Sequence, residues 1–450
     1  MKISFPDHRT ILPTVSAVQD FSLRILPYWI AAAITALVAV IYAKVFGWSE
    51  DLAFRWAESY PGWSFVIIPT ALLVSTGIAR QFAAFSSGSG IPQLIAALEV
   101  RETDPPAFLQ KLLGLKVIVA KFVGSCLCVM GGGVTGREGP TLQIAAGIFR
   151  IVEKRWTYFA KLDPQAMILA GGAAGLAAAF NTPLGGVIFA IEELAKVHIS
   201  FIRTTVFHSV IIAGILTQAA LGNYLYFGRV IAEPVDSSAK LYLALAAAVI
   251  GALGAIFGVA VVKGLAWRSR LHRHAKTVMT LICGLIVATI FYFVGHQALG
   301  SGRHVITELL TKTGEPIPLY LGFARGFTNY FTYAGGVIGG VFAPALSTGA
   351  AFGGWISQYV TGANTPVWIL AGMVAFLTGV TRSPFTSLIL VLEMTDSHAA
   401  ILDLMLAAIL AQGAARLIDP VSFYEHAAHR MLSELKKEEV KPDEIKNSVD

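Results

Sequence analysis

Charge is scarce in this sequence. Only 14% of its 450 residues are Asp, Glu, Lys or Arg, against roughly 25% in a soluble globular domain. The shortage excludes an ordinary water-soluble domain and points to an integral membrane protein. Cysteine is nearly missing as well, with Cys126, Cys128 and Cys283 alone. A tetrahedral metal site needs about four ligands, and none stand near the Cys126/Cys128 pair, so all three read as small packing residues and no metal is expected. Neither an HExxH pair nor a GxSxG elbow occurs. An enzyme built on Glu192, Glu193, His198 or His208 therefore has no supporting signature, and the chain is read as a non-enzyme without cofactor. Met1–Asp20 is polar and holds Pro6, Asp7, His8 and Pro13, so it cannot form the apolar core of a secretory signal.

What the chain has is apolar length. Hydrophobic residues make up 55%. Ala31–Val45, Phe65–Ile78, Leu241–Val262, Thr277–Val294 and Ile401–Ala411 read as membrane helices or parts of them. Gly326–Thr381 carries no charge at all. At about 20 residues per span it holds two or more membrane segments. Its wealth of Gly, Ala, Ser and Thr suits tilted, broken and closely packed helices. The expected fold is all-α, with one membrane domain over 21–432, a short segment 1–20 before it and a charged tail 433–450 after it. That tail, SELKKEEVKPDEIKNSVD, is expected to be frayed.

The net charge of +6 is modest. Two basic clusters, Arg101/Lys111/Lys116/Lys121 and Arg268/Arg270/Arg273/Lys276, face the cytoplasm by the positive-inside rule; they are not read as nucleic-acid patches. Gly47–Trp63 carries Glu50, Asp51 and Glu58 against Arg55 and reads as an outer loop. Both termini are placed in the cytoplasm.

The chain also repeats weakly. Ile168–Gly171 recurs as Ile369–Gly372, and Asn181-Thr182-Pro183 matches Arg382-Ser383-Pro384, so Glu192 falls opposite Glu393. Gly136…Pro140 matches Gly340…Pro344, and Gly88–Gly90 matches Gly300–Gly302. Three pairs in one order argue for duplicated halves, 21–221 and 240–432. The first half's opening helix runs from inside to the acidic loop. Its counterpart, Leu241–Trp267, ends at a basic cluster, so the halves read as inverted. Inverted repeats place substrate near the midplane, between broken helices.

Four glycine-rich breaks interrupt the apolar runs: GSGIP at Gly88–Pro92, GREGP at Gly136–Pro140, GSGR at Gly300–Arg303 and GGVFAP at Gly339–Pro344. Glycine permits an irregular turn and close backbone approach. Proline in a first helical turn has no N–H to leave unsatisfied. Each proline-bearing break therefore reads as a helix start inside the membrane, with free N–H groups and about half a positive charge. Several such starts converging make an anion site without a buried Lys or Arg.

GSGIP, GREGP and GGVFAP in this order, with AAFNTPLGGVIFAIEE and a late Tyr424, resemble the CLC family of chloride channels and chloride/proton antiporters over nearly the whole membrane domain. The resemblance implies an inverted-repeat homodimer in the cell inner (plasma) membrane, with one anion pathway per subunit and chloride and protons as the transported ions. Carried over by position, Ser89 (between Gly88 and Gly90, before Ile91 and Pro92) and Tyr424 give hydroxyls to the anion. Val341 and Phe342, between Gly340 and Pro344, give backbone N–H groups. Glu138, between Gly136-Arg137 and Gly139-Pro140, is the outer gate and proton acceptor; Arg137 is structural. Glu193 is the inner proton glutamate and tilts the reading from passive voltage- or pH-gated chloride channel to antiporter. The plain alternatives are a helix cap for Ser89, an ion-pair partner of Arg137 for Glu138, a helix-end charge for Glu193 and an interfacial anchor for Tyr424. Glu393 has no role beyond structural pairing. The retained serine favours chloride over nitrate, the unaltered GREGP and GSGIP disfavour fluoride export, and the short tail suits a prokaryotic member without cytoplasmic regulatory domains.

Overall fold

Apolar runs become helices, and the glycine-proline breaks become helix starts. The computed structural model describes residues 15–447 apart from 102, 160, 195–203, 223–224, 313 and 362; the side chains of 15–22 and 438–447 also lie outside the description. The sequence readings on 1–14 and on His198 therefore fall outside the described residues.

The first half contains α1 (Val15–Ser59), α2 (Ser64–Phe82), α3 (Ile91–Glu99), α4 (Ala107–Leu113), α5 (Leu115–Met130), α6 (Glu138–Trp156), α7 (Pro164–Phe180), α8 (Pro183–Phe189) and α9 (Thr204–Leu221). The second contains α10 (Lys240–Arg270), α11 (Arg273–Val294), α12 (Arg303–Thr311), α13 (Leu319–Ala334), α14 (Phe342–Ser357), α15 (Thr365–Thr381), α16 (Pro384–Thr395), α17 (Ile401–Ile418) and α18 (Phe423–Asn447). No strand forms among the described residues; two isolated bridges are the only β pairing.

Among the described residues, seven helical stretches are long and apolar enough to cross a membrane. The central helices are shorter. The charge-free run Gly326–Thr381 takes in the end of α13 and all of α14 and α15, of 16, 16 and 17 residues, each below the roughly 20 a span requires. Helices α14 and α15 sit almost wholly inside the protein, covered by neighbouring helices, whereas α13 leaves Tyr320, Phe323 and Phe327 exposed along one face.

The repeat seen in short motifs extends to helix lengths. Helices α3 and α12 are both 9 residues, α5 and α13 both 16, and α7 and α15 both 17. Helices α7 and α15 end alike, on left-handed Asn181 (φ 58°) and Arg382 (φ 64°), each followed by a residue and a proline that opens the next helix.

Close packing of α14 on α15 depends on glycine. A Cβ on Gly372 would collide with the Gly349 carbonyl, and one on Gly349 with the Gly372 carbonyl. Gly372→Val is expected to cost about 3 kcal/mol or more. It should lower the thermal midpoint of the detergent-solubilised protein; an unchanged midpoint would show that the helices can move apart freely.

Four sequence expectations are corrected. The boundary at 20/21 falls inside α1, which is already helical at Val15, the first described residue. Gly47–Ser59 is no loop: α1 continues through it for a total of 45 residues, its Glu, Ala, Leu and Arg being good helix formers. Residues 433–447 are not frayed but continue α18, again with strong helix formers (Glu, Lys, Leu). Lys121 is not a cytoplasmic topology charge. It is fully buried, and its ammonium donates to the carbonyls of Ser86 (2.8 Å) and Gly88 (2.7 Å).

Candidate anion pathway

Three of the breaks are stitched to one another by backbone. Gly88 N–H donates to Val337 O (2.7 Å) and Gly339 N–H to Gly88 O (3.1 Å). Gly136 and Gly340 exchange both bonds, at 2.8 and 2.9 Å. These contacts bring GSGIP, GREGP and GGVFAP to one place. The starts of α3, α6 and α14 meet there, each with first-turn N–H groups that no helical carbonyl can accept.

The fit leaves no room for side chains on the turn. Gly90 takes a φ of 112°, open to glycine and strained for other residues. A Cβ on Gly139 would stand 2.6 Å from the Ser89 carbonyl oxygen. The Gln93 side chain fastens the loop, accepting from Gly90 N–H at 2.9 Å and donating to Phe85 O at 3.0 Å.

Into this junction come two hydroxyls and one carboxylate, all buried. Ser89 is fully buried; its amide donates to the Tyr333 hydroxyl at 2.8 Å, while its own Oγ has no hydrogen-bond partner. The Tyr424 hydroxyl, equally buried, has none either. Tyr424 lies beside Ser89, held there by Phe423, whose ring packs edge-on to Tyr333 at 5.6 Å. This rules out Tyr424 as an interfacial anchor. The two hydroxyls lie side by side where the helix starts meet, and neither is tied to a backbone carbonyl or a carboxylate, so both can turn toward an acceptor placed there.

Glu138 opens α6 with 0% exposure. Its carboxylate faces its own amide and that of Ala343, at the starts of α6 and α14. Val341 precedes α14 and Phe342 begins it, both buried. The Arg137 guanidinium reaches toward Ala179 O at 3.4 Å and lies 5.4 Å from the Tyr226 ring.

Sequence reasoning missed Tyr226. It is buried, its hydroxyl directed at Glu138 Oε1 at 3.4 Å, and its ring also lies under Arg303 at 5.1 Å. Phe180 packs on Tyr226 at 5.3 Å and on Phe342 at 5.6 Å. No motif surrounds Tyr226, so no pattern pointed to it. Glu50 was also misplaced. It is 4% exposed, and its carboxylate accepts from Ser301 N–H at 2.5 Å in the GSGR turn. Arg325 grips the same turn, donating to Leu299 O at 2.6 Å and Gly300 O at 3.2 Å. The repeat offset of 204 that links Gly136 to Gly340 also links Lys121 to Arg325, and in the fold each grips a GSG turn of its own half.

Glu193 belongs to a separate cluster. It follows α8 in a widened turn, Ala190–Leu194, and is 2% exposed. It accepts from Ser383 Oγ at 2.6 Å and from Ser422 Oγ at 3.5 Å, two residues from Tyr424. Glu192, beside it, accepts from Phe385 and Thr386 N–H at the start of α16 (3.2 and 2.7 Å). Glu393, toward the end of α16, accepts from Leu184 and Gly185 N–H at the start of α8 (3.1 and 2.6 Å). The two helices lie antiparallel, each start covered by the other's carboxylate. That is the structural pairing expected of Glu393.

A profile of the voltage-gated chloride channel family matches residues 71–416. The chain belongs to that family. The H(+)/Cl(-) exchange transporter ClcA of Citrobacter koseri is 30% identical over 412 residues, covering 85% of this chain and 84% of the relative. The same-named protein of Salmonella agona is 28% identical over 429 residues, or 90% and 88% of the two chains. Among solved structures, a slow cyanobacterial Cl-/H+ antiporter superposes with a TM-score of 0.80 at 22% identity, over 91% of this chain and 98% of its own. A CLC-type fluoride/proton antiporter superposes at 0.75 and 20% identity, over 92% and 99%. These last two establish the CLC fold alone. Within the CLC fold the three breaks, Lys121 and Tyr424 form one buried junction, and Glu193 stands apart from it.

Proposed function

We propose that this CLC protein exchanges chloride for protons across the cell inner membrane. The observation that carries this reading is the position of Glu138. A carboxylate lying on the starts of α6 and α14 occupies ground that a chloride ion would also favour, since both are anions at the positive ends of helices. A proton on Glu138 removes one competitor. Ser89 Oγ, Tyr424 OH and the Val341 and Phe342 amides supply donors to the ion without a fixed cation that would trap it. Glu193 is the inner proton acceptor, and its burial beside two hydroxyls supports a working carboxylate over a solvated helix end. Chloride/proton exchange is the named activity of the Citrobacter koseri and Salmonella agona relatives.

The matched helix lengths and the antiparallel α8/α16 pair support inverted halves, about 21–221 and 240–432. The family resemblance adds a homodimer with one pathway per subunit. Arg80, Arg268, Lys276 and Arg430 share one face, which we orient to the cytoplasm; the start of α18 lies there. Asp51, Glu58 and Glu308 share another cavity, assigned to the outside.

Simultaneous chloride and proton flux in reconstituted vesicles tests the exchange. Under an imposed chloride gradient protons should move uphill; chloride movement without them would make this a channel.

The Tyr226 phenol, directed at Glu138, favours the ionised carboxylate in place. Tyr226→Phe removes that donor and makes the gate easier to protonate. A hydrogen bond of about 1 kcal/mol corresponds to somewhat under one pH unit. The chloride-flux profile should therefore move to higher pH by about half a unit, with proton coupling retained. An unmoved profile would reduce Tyr226 to a packing residue.

A further inference from the structure

A cavity of about 280 Å³ opens on the face that carries α18, and its inner wall includes Ser87, Gly88 and Tyr333. Anything lodged there stands between the solution and Ser89. Four cations line it: Arg80 at the end of α2, Arg268 at the end of α10, Lys276 in α11 and Arg430 in α18. They act on one another electrostatically, with Glu434 the carboxylate among them. His426, also in the wall, is engaged with Asp419 at 3.1 Å.

The donors are only partly used. Arg268, 8% exposed, donates to Lys276 O and Thr280 Oγ1, both at 3.2 Å. Arg80 Nη1 donates to Thr277 Oγ1 at 2.9 Å, but its Nη2 is buried with no acceptor. Arg430 Nε donates to Glu434 at 3.1 Å, while its Nη1 is likewise buried without one. A buried donor left unmade costs about 1–3 kcal/mol, more when charged. Four like charges in a half-enclosed space repel as well. One chloride offers a single charge and no fork to match a guanidinium. A phosphate group offers about two charges and three acceptor oxygens, and guanidinium forks bind it bidentately.

We propose that this cavity binds a phosphate-bearing anion, either free in solution or as a lipid headgroup, which hinders the inner mouth of the pathway. The ligand is a regulator and not cargo: fixed cations hold a polyvalent ion, whereas the transported ion meets only dipoles and hydroxyls. The hindrance, though not the binding, rests on the exchange reading above.

Pyrophosphate is the soluble probe. Calorimetry on the detergent-solubilised protein reads binding without transport, so a failure of the exchange reading leaves this test intact. Arg430→Gln and Lys276→Gln, made singly, should each weaken binding about tenfold, the loss of one charge-assisted contact; Arg430→Lys should restore part of it. Pyrophosphate added on the α18 side of phosphatidylcholine vesicles should then slow chloride flux in competition with chloride, and less so in the variants. If the ligand is a headgroup, pyrophosphate will bind poorly. Phosphatidic acid, a monoester that keeps three free phosphate oxygens, will instead stay bound to the purified protein by native mass spectrometry and be lost in the same variants. Binding of neither, or binding of either that Arg430→Gln and Lys276→Gln leave unchanged, overturns the proposal.

Discussion

Glu138→Ala is expected to end proton transport while chloride continues to pass. The carboxylate is fully buried and faces the starts of α6 and α14. Deleting it removes the group that competes with the anion and the group that accepts the proton, in one step. It removes none of the helix-start N–H groups, nor Ser89 or Tyr424. Those donors set the anion's affinity, so chloride flux should remain within about tenfold of wild type, roughly 1.4 kcal/mol. Proton flux driven by a chloride gradient should fall to the background of empty vesicles, and the pH dependence of chloride flux should flatten. Coupling that survives in this variant would defeat the gate assignment. Arg137 gives a useful contrast: its guanidinium reaches the Ala179 carbonyl and the Tyr226 ring, so its loss should affect stability before coupling.

The second large effect is expected at Glu193. Glutamine keeps the shape: its one carbonyl oxygen can still accept from the Ser383 hydroxyl, and its amide N–H can donate to the Ser422 oxygen, so folding should be little changed. It cannot take up a proton. Chloride-driven proton movement should therefore stop in Glu193→Gln, with chloride flux persisting. An unchanged exchange ratio would make Glu193 a structural acceptor for Ser383. The comparison with Glu192→Gln is informative because Glu192 is adjacent but spent on the amides of Phe385 and Thr386. Its neutralisation should weaken the α8/α16 pairing by about 1–2 kcal/mol and leave the exchange ratio alone.

Much of this site was legible in the sequence, for a physical reason. A helix that starts inside a membrane needs glycine for the turn and benefits from proline in the first turn, so the demand is written in consecutive residues. Ser89, Glu138 and Phe342 lie within such stretches, which the fold brings to one junction. Lys121, Glu50 and Tyr226 do not announce themselves. A lysine near an apolar run and an acidic residue near a helix end have ordinary surface explanations. Only the fold reveals that Lys121 reaches back to the GSGIP turn and that Glu50 reaches Ser301 across 251 positions of sequence. Tyr226 depends on the path of the segment between the halves, where Phe227 N–H bonds to Met394 O and Val230 N–H to Thr395 O. No local pattern encodes that path. The tail was misread for a related reason: its charge suggested disorder, yet its Glu, Lys and Leu residues also favour helix, and α18 is anchored where Tyr424 and Ala428 are buried.

The reciprocal glutamates bear on how such a chain is made. Gly185 leaves the ribosome 208 residues ahead of Glu393, the carboxylate that will cover its amide. Through that interval the start of α8 carries bare donors in a membrane that offers no substitute. The first half therefore completes this helix start only when the second half supplies Glu393. Nor can it settle alone, because the group that completes it is encoded only in its twin.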